Sequence, residues 1–199
     1  MEQSKKNNHK SNFREQSQEK ILEASLKLFL EQGFENTSTR EIANLAKCSE
    51  ALIFKYFTNK KNLLCIIISN WFNNRAQALA VLDQSQNIDE EIHLLIRWFF
   101  VSYLAEKNLN KLFVSQILNN NENKDVIFSR YDYVSKRNSI ISQRIAKYGI
   151  PFDEKFTQLL DIVHGYVMLI VLVRNTPVEE YEVKIKNIAD MVLTIIKNK

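Results

Sequence analysis

The chain has 199 residues, 45% hydrophobic and 25% charged, a composition typical of a globular protein with a substantial core. Its 3 glycines and 2 prolines are too few for the turns of a β-sandwich or barrel, so we predict an all-α protein of about nine helices. The same scarcity excludes glycine-rich phosphate loops. Cys48 and Cys65 lack the spacing of a zinc site or a disulfide framework, so we expect no metal and no cofactor.

The net charge of +4 is concentrated near the N-terminus, where residues 1–65 hold 11 Lys and Arg against 8 Asp and Glu. The remaining residues hold 16 against 15, so their net charge is near zero. The N-terminus has no apolar signal segment, and the longest apolar run, Val167 to Val173, is too short to span a bilayer. We expect a cytoplasmic protein that does not bind membranes.

The N-terminal segment differs in pattern from the residues that follow it. Residues 1–16 are polar and rich in lysine, with no apolar periodicity, which predicts a flexible basic arm. From residue 17, apolar residues recur at helical spacing, which predicts a first helix over 17–32 that ends at Gly33.

Three further helix starts follow closely. Ser38 and Glu41 form a capping box that opens a short second helix, and Ser49 is placed to cap a third. Thr58 or Asn59 would cap a long fourth helix.

The second part of the chain repeats the helical pattern at greater length. Asp89 is predicted to cap the next helix, and Thr176 opens a capping box with Pro177 at the first helical position. The predicted helices run from Asp89 through Tyr103, and over 108–119, 125–148, 153–174 and 177–197.

Residues 37–60, TSTREIANLAKCSEALIFKYFTNK, have the layout of a helix-turn-helix. A short helix is expected to pack through Ile42, Ala43 and Leu45 across a second helix, which follows a tight turn at Lys47–Cys48. Such a pair presents its second helix to the major groove of DNA.

The sequence ILEASLKLF…GFENTSTREIANLAKCSEALIFKYFTNKKNLL resembles the N-terminal domain of TetR-type transcriptional repressors over residues 17–65. The resemblance implies a homodimeric repressor that binds palindromic double-stranded DNA and releases it when a small effector binds. Residues 66–199 would then be the effector-binding and dimerisation domain. The chain departs from the family at Lys47, where a small residue and often glycine is usual, at Ala51, where glycine is usual, and at Phe54, where tyrosine is usual.

The expected DNA contacts fall into two groups. Thr37 and Thr39 stand at a helix N-terminus, where hydroxyls and free N–H groups bind phosphate, and Tyr56 and Lys60 match the family's phosphate-contacting positions. The residues placed to approach base edges are Arg40, Ser49, Glu50, Ala51 and Lys55.

Aromatic and polar residues on otherwise apolar helices predict a site for a small hydrophobic or aromatic effector. An ordinary aromatic core explains the same residues equally well. The candidate effector residues are Trp71, His93, Trp98, Tyr103, Phe113, Gln116, Tyr131 and His164.

The last two helices carry apolar stripes that can pair with each other or with a second copy of the chain, and we favour the dimer. The predicted interface residues are Leu160, Val163, Val167, Val171, Ile188, Val192 and Ile195.

Two other classes of function remain open. An enzyme is disfavoured, since the chain contains neither G-x-S-x-G nor H-E-x-x-H, and its histidines, His9, His93 and His164, are far apart in sequence. The alternative is an all-α ligand-binding or interaction protein of the same fold without specific DNA binding, for which the departures at Phe54 and Lys47 give some support.

Overall fold

The computed structural model describes residues 2–82, 85–119 and 124–197, and side chains over 12–82, 85–116 and 132–197. Within these ranges the backbone forms nine α-helices and no strand, which confirms the predicted all-α class. The helices are α1 (Glu2–Gln32), α2 (Thr39–Ala46), α3 (Glu50–Phe57), α4 (Lys60–Ala80), α5 (Ile88–Ala105), α6 (Lys107–Asn119), α7 (Lys124–Ala146), α8 (Glu154–Met168) and α9 (Tyr181–Lys197).

The chain divides into two compact units, and the boundaries between them fall within α4, α6 and α7. The first unit comprises Met1–Trp71 and Ser115–Ser129, and the second comprises Phe72–Val114 and Arg130–Lys199. The core of the first unit includes Phe29, Ile42, Ile53, Leu63 and Leu64. The core of the second unit includes Leu79, Ile92, Phe99, Val167 and Ala189.

Two helix starts differ from the prediction. α1 begins at Glu2 rather than near residue 17, so the segment predicted as an arm is helical. α5 is capped by Asn87, whose Oδ1 accepts from the N–H of Glu90 at 2.9 Å, and not by Asp89. Asp89 lies in the first turn, where its charge favours the positive end of the helix dipole.

The predicted capping box at the start of the last helix is wrong. Pro177 has a ψ of 143°, which is extended, and Val178–Glu180 form a 3₁₀ turn before α9 begins. The Tyr181 hydroxyl donates to the carbonyl of Thr176 at 2.9 Å, and this bond holds the chain entry to the helix.

α8 continues into a π-helical turn over Leu169–Val173, where the N–H of Arg174 donates to the carbonyl of Leu169 at 2.9 Å. By length and composition alone, the span Glu154–Val173 is the one described helix that could cross a membrane, and 39% of its most apolar window is buried. A core helix passes the same test, and α8 packs against α5 and α9 within the second unit.

Candidate DNA-binding surface and effector site

The start of α2 is organised by Ser38 and Glu41. The Ser38 side chain accepts from the N–H of Glu41 at 3.2 Å, and the Glu41 carboxylate accepts from the Ser38 hydroxyl at 2.7 Å and from its N–H at 2.8 Å. These hydrogen bonds hold the pKa of Glu41 below its usual value, and the bond from the Ser38 hydroxyl has the largest effect. The predicted capping box is therefore confirmed, and it fixes the first turn of the helix-turn-helix.

The turn between α2 and α3 closes without a glycine. Lys47 is left-handed, with φ 54° and ψ 46°, and its N–H donates to the carbonyl of Asn44 at 3.2 Å. The N–H of Cys48 donates to the carbonyl of Ala43 at 3.0 Å. These bonds satisfy carbonyls at the end of α2, as a glycine C-cap would, at a conformational cost of about 1–2 kcal/mol.

Cys48 is half-buried beside this turn, and burial raises the pKa of its thiol. The thiol therefore stays protonated and poorly nucleophilic at neutral pH. This environment fits a small packing residue better than a redox switch.

α3 is held at its first turn by two contacts. The Ser49 hydroxyl oxygen accepts from the N–H of Leu52 at 3.2 Å, which confirms the predicted cap. The Thr39 hydroxyl donates to the Glu50 carboxylate, which joins the start of α2 to the start of α3. Thr39 and Glu50 were each predicted to contact DNA, and in the structure their polar groups bond to each other and position the two helices.

The two sides of α3 differ sharply in exposure. Ile53 and Phe57 are buried, whereas Ala51, Phe54 and Lys55 are exposed. Phe54 is 49% exposed, although it is a large apolar side chain on a short helix. The exposed side has the residues and length to enter a groove of DNA.

Ile42 and Ala43 of α2 are buried as predicted, but Leu45 is 42% exposed. Packing between the short helices therefore depends on the first two residues, and the predicted core role of Leu45 is wrong. Arg40 is exposed on the same helix.

Thr37 and Lys60, predicted to bind phosphate, make contacts inside the first unit. Thr37 is buried, and its hydroxyl donates to the carbonyl of Gly33 at 2.8 Å. The Lys60 ammonium donates to the carbonyls of Phe34 at 2.7 Å and Thr37 at 2.8 Å, and lies 4.4 Å from the centre of the Phe34 ring. These contacts tie α4 to the α1–α2 turn, and the phosphate role of both residues stays a prediction.

Tyr56 is half-buried near the end of α3, and its ring meets that of Phe57 edge to face at 6.3 Å. The guanidinium of Arg14 lies 5.6 Å from the centre of the Tyr56 ring. Sequence reasoning placed Arg14 in the flexible arm, and no local pattern signals a contact between residues so far apart in sequence.

The second unit contains a buried group of arginines and aromatic rings that we call the cation–aromatic cluster. The guanidinium carbon of Arg75 lies 4.9 Å from the ring centre of Tyr103, 5.6 Å from that of Tyr133 and 5.8 Å from that of Trp98. Such ring faces stabilise a buried cation. The cluster comprises Arg75, Trp98, Phe99, Tyr103, Asn110, Tyr133, Arg137 and His164.

Arg137 of α7 is the largest side chain with no appreciable exposure, at 0%. Its guanidinium donates to the Asn138 side chain at 2.8 and 3.0 Å and to the Asp161 carboxylate at 3.1 Å. It also lies 5.8 Å from the centre of the Phe99 ring. The Asp161 side chain is 60% exposed, so water screens the charge of this partner.

Four predicted effector residues lie in or beside the cluster. The Tyr103 hydroxyl and His164 Nε2 are 2.8 Å apart, and Trp98 stacks edge to face with Phe99 at 5.0 Å. Phe113 adjoins the cluster indirectly, because Phe72 contacts its ring at 5.0 Å and stacks on Tyr133 at 4.6 Å.

The other four predicted effector residues are not part of this cluster. His93 is partly exposed, and its Nε2 lies 3.7 Å from the Asp190 carboxylate. Trp71 and Gln116 belong to the first unit, and the side chain of Tyr131 lies outside the described residues.

Sequence reasoning missed Arg75, Asn110, Tyr133 and Arg137. One signal was available for Arg137: it stands in an i, i+4 series with Tyr133, Ile141 and Ile145, whose other members are buried. A charged residue within an apolar stripe of a helix predicts a buried charge.

A second buried arginine of α7 has a different environment. Arg144 Nε and Nη2 donate to the two carboxylate oxygens of Glu91 at 2.6 and 3.1 Å. Its Nη1 donates to the carbonyl of Leu82 at 3.1 Å. This pair is bidentate and buried, as a structural ion pair requires.

The predicted dimer interface lies mostly inside one protomer. Six of its seven residues are buried within the chain, with Val167 at 0% exposure, and only Ile195 is exposed. The last helices also carry exposed apolar residues, on the side that faces away from these buried ones. The exposed residues are Ile162, Tyr166, Val173, Val183, Met191 and Ile195.

Comparison with known proteins finds matches to the helix-turn-helix part of the chain. Residues 21–65 match the model of the family described as "Bacterial regulatory proteins, tetR family". The chain is 37% identical over 67 residues to the HTH-type transcriptional regulator YvkB of Bacillus subtilis, which covers 34% of each protein. It is 26% identical over 119 residues to the HTH-type transcriptional repressor NicS of Pseudomonas putida, which covers 55% of this chain and 56% of NicS.

Solved structures match over nearly the whole chain. A TetR-family transcriptional regulator from Streptomyces coelicolor has a TM-score of 0.71 at 14% identity, covering 91% of this chain and 82% of that protein. GusR of Salmonella enterica has a TM-score of 0.69 at 17% identity, covering 91% of this chain and 95% of GusR. At 14–17% identity these matches show a shared fold, and with 91% coverage of this chain the shared fold includes the second unit.

The matched residues have the helix-turn-helix of HTH-type transcriptional regulators. The match assigns residues 21–65 to the TetR type of helix-turn-helix, and the likeness supports a TetR-type regulator. The chain's matches to these curated relatives span about one third to one half of their length.

Proposed function

We propose that the protein is a dimeric, cytoplasmic TetR-type repressor that binds a palindromic DNA operator and releases it when a small effector binds the second unit. The observation that carries the proposal is the arrangement of α3. Ser49 caps this helix, the Thr39–Glu50 bond ties it to α2, and Lys55 stands on its exposed side. No catalytic role is proposed.

Arg40 and Lys55 are the proposed base-reading residues. Both are exposed cations on the two short helices, and contacts from such groups to guanine O6 and N7 are the commonest specific contacts in the major groove. Ala51 is exposed beside them and is small enough to let the helix approach a thymine methyl group. Tyr56 and Arg14 are the proposed phosphate contacts, since the structure occupies Thr37 and Lys60 elsewhere.

Dimerisation is proposed through the outward apolar residues of α8 and α9. Ile162 is 65% exposed and Met191 45% exposed, and contiguous exposed apolar residues on a monomer mark interaction surfaces. Two such helices from each chain would form a four-helix interface.

The effector is proposed to bind in the second unit at the cation–aromatic cluster. A site that combines aromatic walls with a few polar groups has the usual composition of a small-molecule pocket. The effector can release DNA only if it binds more tightly to a conformation of the dimer in which the two α3 helices cannot both reach the two halves of the palindrome.

The test is a gel-shift and binding-site selection experiment on the DNA upstream of the coding region. Arg40→Ala and Lys55→Ala should each weaken specific binding by about 1–3 kcal/mol and relax preference at one base position. Lys186→Ala removes an exposed lysine of α9 and is the matched control, which should bind as the parent does. Unchanged sequence preference in both test variants would contradict the proposed base contacts, and absence of any specific, salt-sensitive shift would favour the non-DNA-binding alternative.

A further inference from the structure

We propose that the cation–aromatic cluster binds the carboxylate group of a small aromatic acid. The inference deepens the proposed function, because it names the chemical class of the effector. It follows from the hydrogen-bond donors and the positive charge buried in the cluster.

Buried donors of the cluster that have no acceptor among the described residues include Nη1 of Arg137, on the side chain with 0% exposure, and Nε1 of Trp98. A buried N–H without an acceptor costs free energy, and a folded protein normally satisfies such groups with protein, water or ligand atoms. The missing group is therefore an acceptor, since both atoms only donate.

The charge of the cluster points the same way. Arg75 and Arg137 bring two guanidinium groups against shared aromatic surroundings. Burial raises the pKa of Tyr133 in spite of both arginines, so this phenol remains neutral and supplies no negative charge. An anion is the ligand that such an environment favours.

Arg144 shows how this fold satisfies a buried arginine that has a structural role. Glu91, buried beside it, accepts from two of its nitrogens, and the Leu82 carbonyl accepts from the third. At Arg137, by contrast, the carboxylate of Asp161 is largely exposed and accepts from Nη2 alone. The guanidinium thus keeps Nη1 for a further acceptor, and a carboxylate oxygen would form a charge-assisted hydrogen bond there.

The remaining surroundings define the body of the ligand. Trp98, Phe99, Tyr103 and Tyr133 surround the two guanidinium groups with ring faces and edges. Such rings accept a flat apolar or aromatic body in offset or edge-to-face contact. Inorganic phosphate has no such body, so the cluster should prefer an aryl carboxylate.

The experiment uses the full-length protein and three probe acids, benzoate, phenylacetate and 3-phenylpropanoate, each paired with its neutral primary amide. Thermal shift and titration calorimetry near neutral pH give melting temperature and Kd for each compound. At least one acid should bind about ten times more tightly than its amide, because only the acid can neutralise the guanidinium. The proposal is overturned if no acid binds, if amides bind equally well, or if phosphate alone stabilises the protein.

Variants connect this preference to the cluster. Arg137→Met should remove the discrimination between acid and amide, and its ligand-free melting temperature should equal or exceed that of the parent, as expected for loss of an incompletely paired buried charge. Trp98→Phe keeps a ring but removes the N–H, so it should weaken binding of the acid several-fold. Lys136→Met removes an exposed charge next to Arg137 in sequence and should keep the full preference.

DNA-binding measurements separate this inference from the proposed function. If an acid binds and Arg137→Met abolishes its preference, the site stands whether or not the protein binds DNA. If the protein binds its operator but no acid binds, the inference fails and the regulator proposal stands. Release of the operator by an acid in the parent, but not in Arg137→Met, supports both.

Discussion

The two units of the molecule differ in where their polar contacts lie. Many polar contacts of the first unit join residues close in sequence at exposed helix ends, such as Ser38 with Glu41 and Ser49 with Leu52. The second unit also contains contacts between buried residues far apart in sequence, such as Arg144 with Glu91. Local exposed bonds can be replaced by water when one partner is lost, whereas a buried charge that loses its partner has no substitute. The second unit should therefore be much less tolerant of polar substitutions.

The buried ion pair gives the strongest test of this difference. Arg144→Met leaves the Glu91 carboxylate buried without its partner, and it should lower the free energy of unfolding by about 3–5 kcal/mol. Urea unfolding followed by circular dichroism measures the loss. Arg97→Met breaks an exposed ion pair of α5 with Glu182 and is the control, expected to change stability little. Equal effects of the two variants would remove the distinction between buried and exposed pairs.

The outer face of the second unit should instead tolerate charge in the folded monomer and not in the dimer. Ile162→Glu with Met191→Glu should weaken association by about 2–4 kcal/mol, as loss of central interface contacts does. Sedimentation velocity should show monomers, and the circular dichroism spectrum should match that of the parent. Val101→Glu, at an exposed apolar position of α5, is the control and should remain dimeric. A dimer that survives the double substitution would place the interface elsewhere.

Lys60 is the exception in the first unit, because its ammonium satisfies carbonyls contributed by the distant α1–α2 turn. Lys60→Met should lower the free energy of unfolding by about 1.5–3 kcal/mol, the value of hydrogen bonds to a charged group. Chemical denaturation of the variant checks this, with Lys186→Met as the matched exposed control. Unchanged stability together with a reduced salt slope of DNA binding would support the phosphate role predicted from the sequence.

The capping box should show the tolerance of the first unit. Ser38→Ala should cost about 1 kcal/mol, typical for loss of an N-cap. Ser38→Asp keeps an acceptor at the cap and should recover most of that loss in the same urea titration. A loss as large as that of Arg144→Met would contradict the proposed contrast.

The smallest expected effect concerns the exposed pair of Arg97 and Glu182, whose atoms meet at 2.5 and 2.6 Å. Hydrogen bonds from Arg97 hold the pKa of Glu182 below its usual value. Its contribution to stability is therefore complete above the ordinary glutamate pKa and is lost as the pH falls through the lowered value. Melting temperatures of the parent and Glu182→Gln should differ slightly at neutral pH and converge in acid, and a gap that widened in acid would contradict this sign.

The sequence predicted the parts of the fold that depend on neighbours in the chain. The caps at Ser38 and Ser49 were found because donor and acceptor are three residues apart. The contacts of Lys60 with backbone carbonyls were missed because its partners lie 23 to 26 residues away. Periodicity identified apolar stripes on the last two helices, but it could not decide whether the stripe that contains Val167 packs within one chain or against a second copy, since that depends on packing.

The grouping of the buried charges could not be predicted from the sequence for the same reason, because it depends on residues that are distant in the chain. The net charge of the second part of the chain is near zero, yet Arg75 and Arg137 lie buried in one cluster there. A net charge averages over positions, so it contains no information on which charges share a buried site.

The chain's 2 tryptophans are distributed one to each unit, with Trp71 in the first and Trp98 in the second, and both are buried. Intrinsic fluorescence can therefore follow each unit separately. In Trp71→Phe, the single remaining indole lies 5.8 Å from the Arg75 guanidinium, where its emission responds to any change in the surrounding charge. In Trp98→Phe, the emission comes from Trp71 and reports on the unit that contains α3. The two variants therefore give a separate fluorescence signal for each unit.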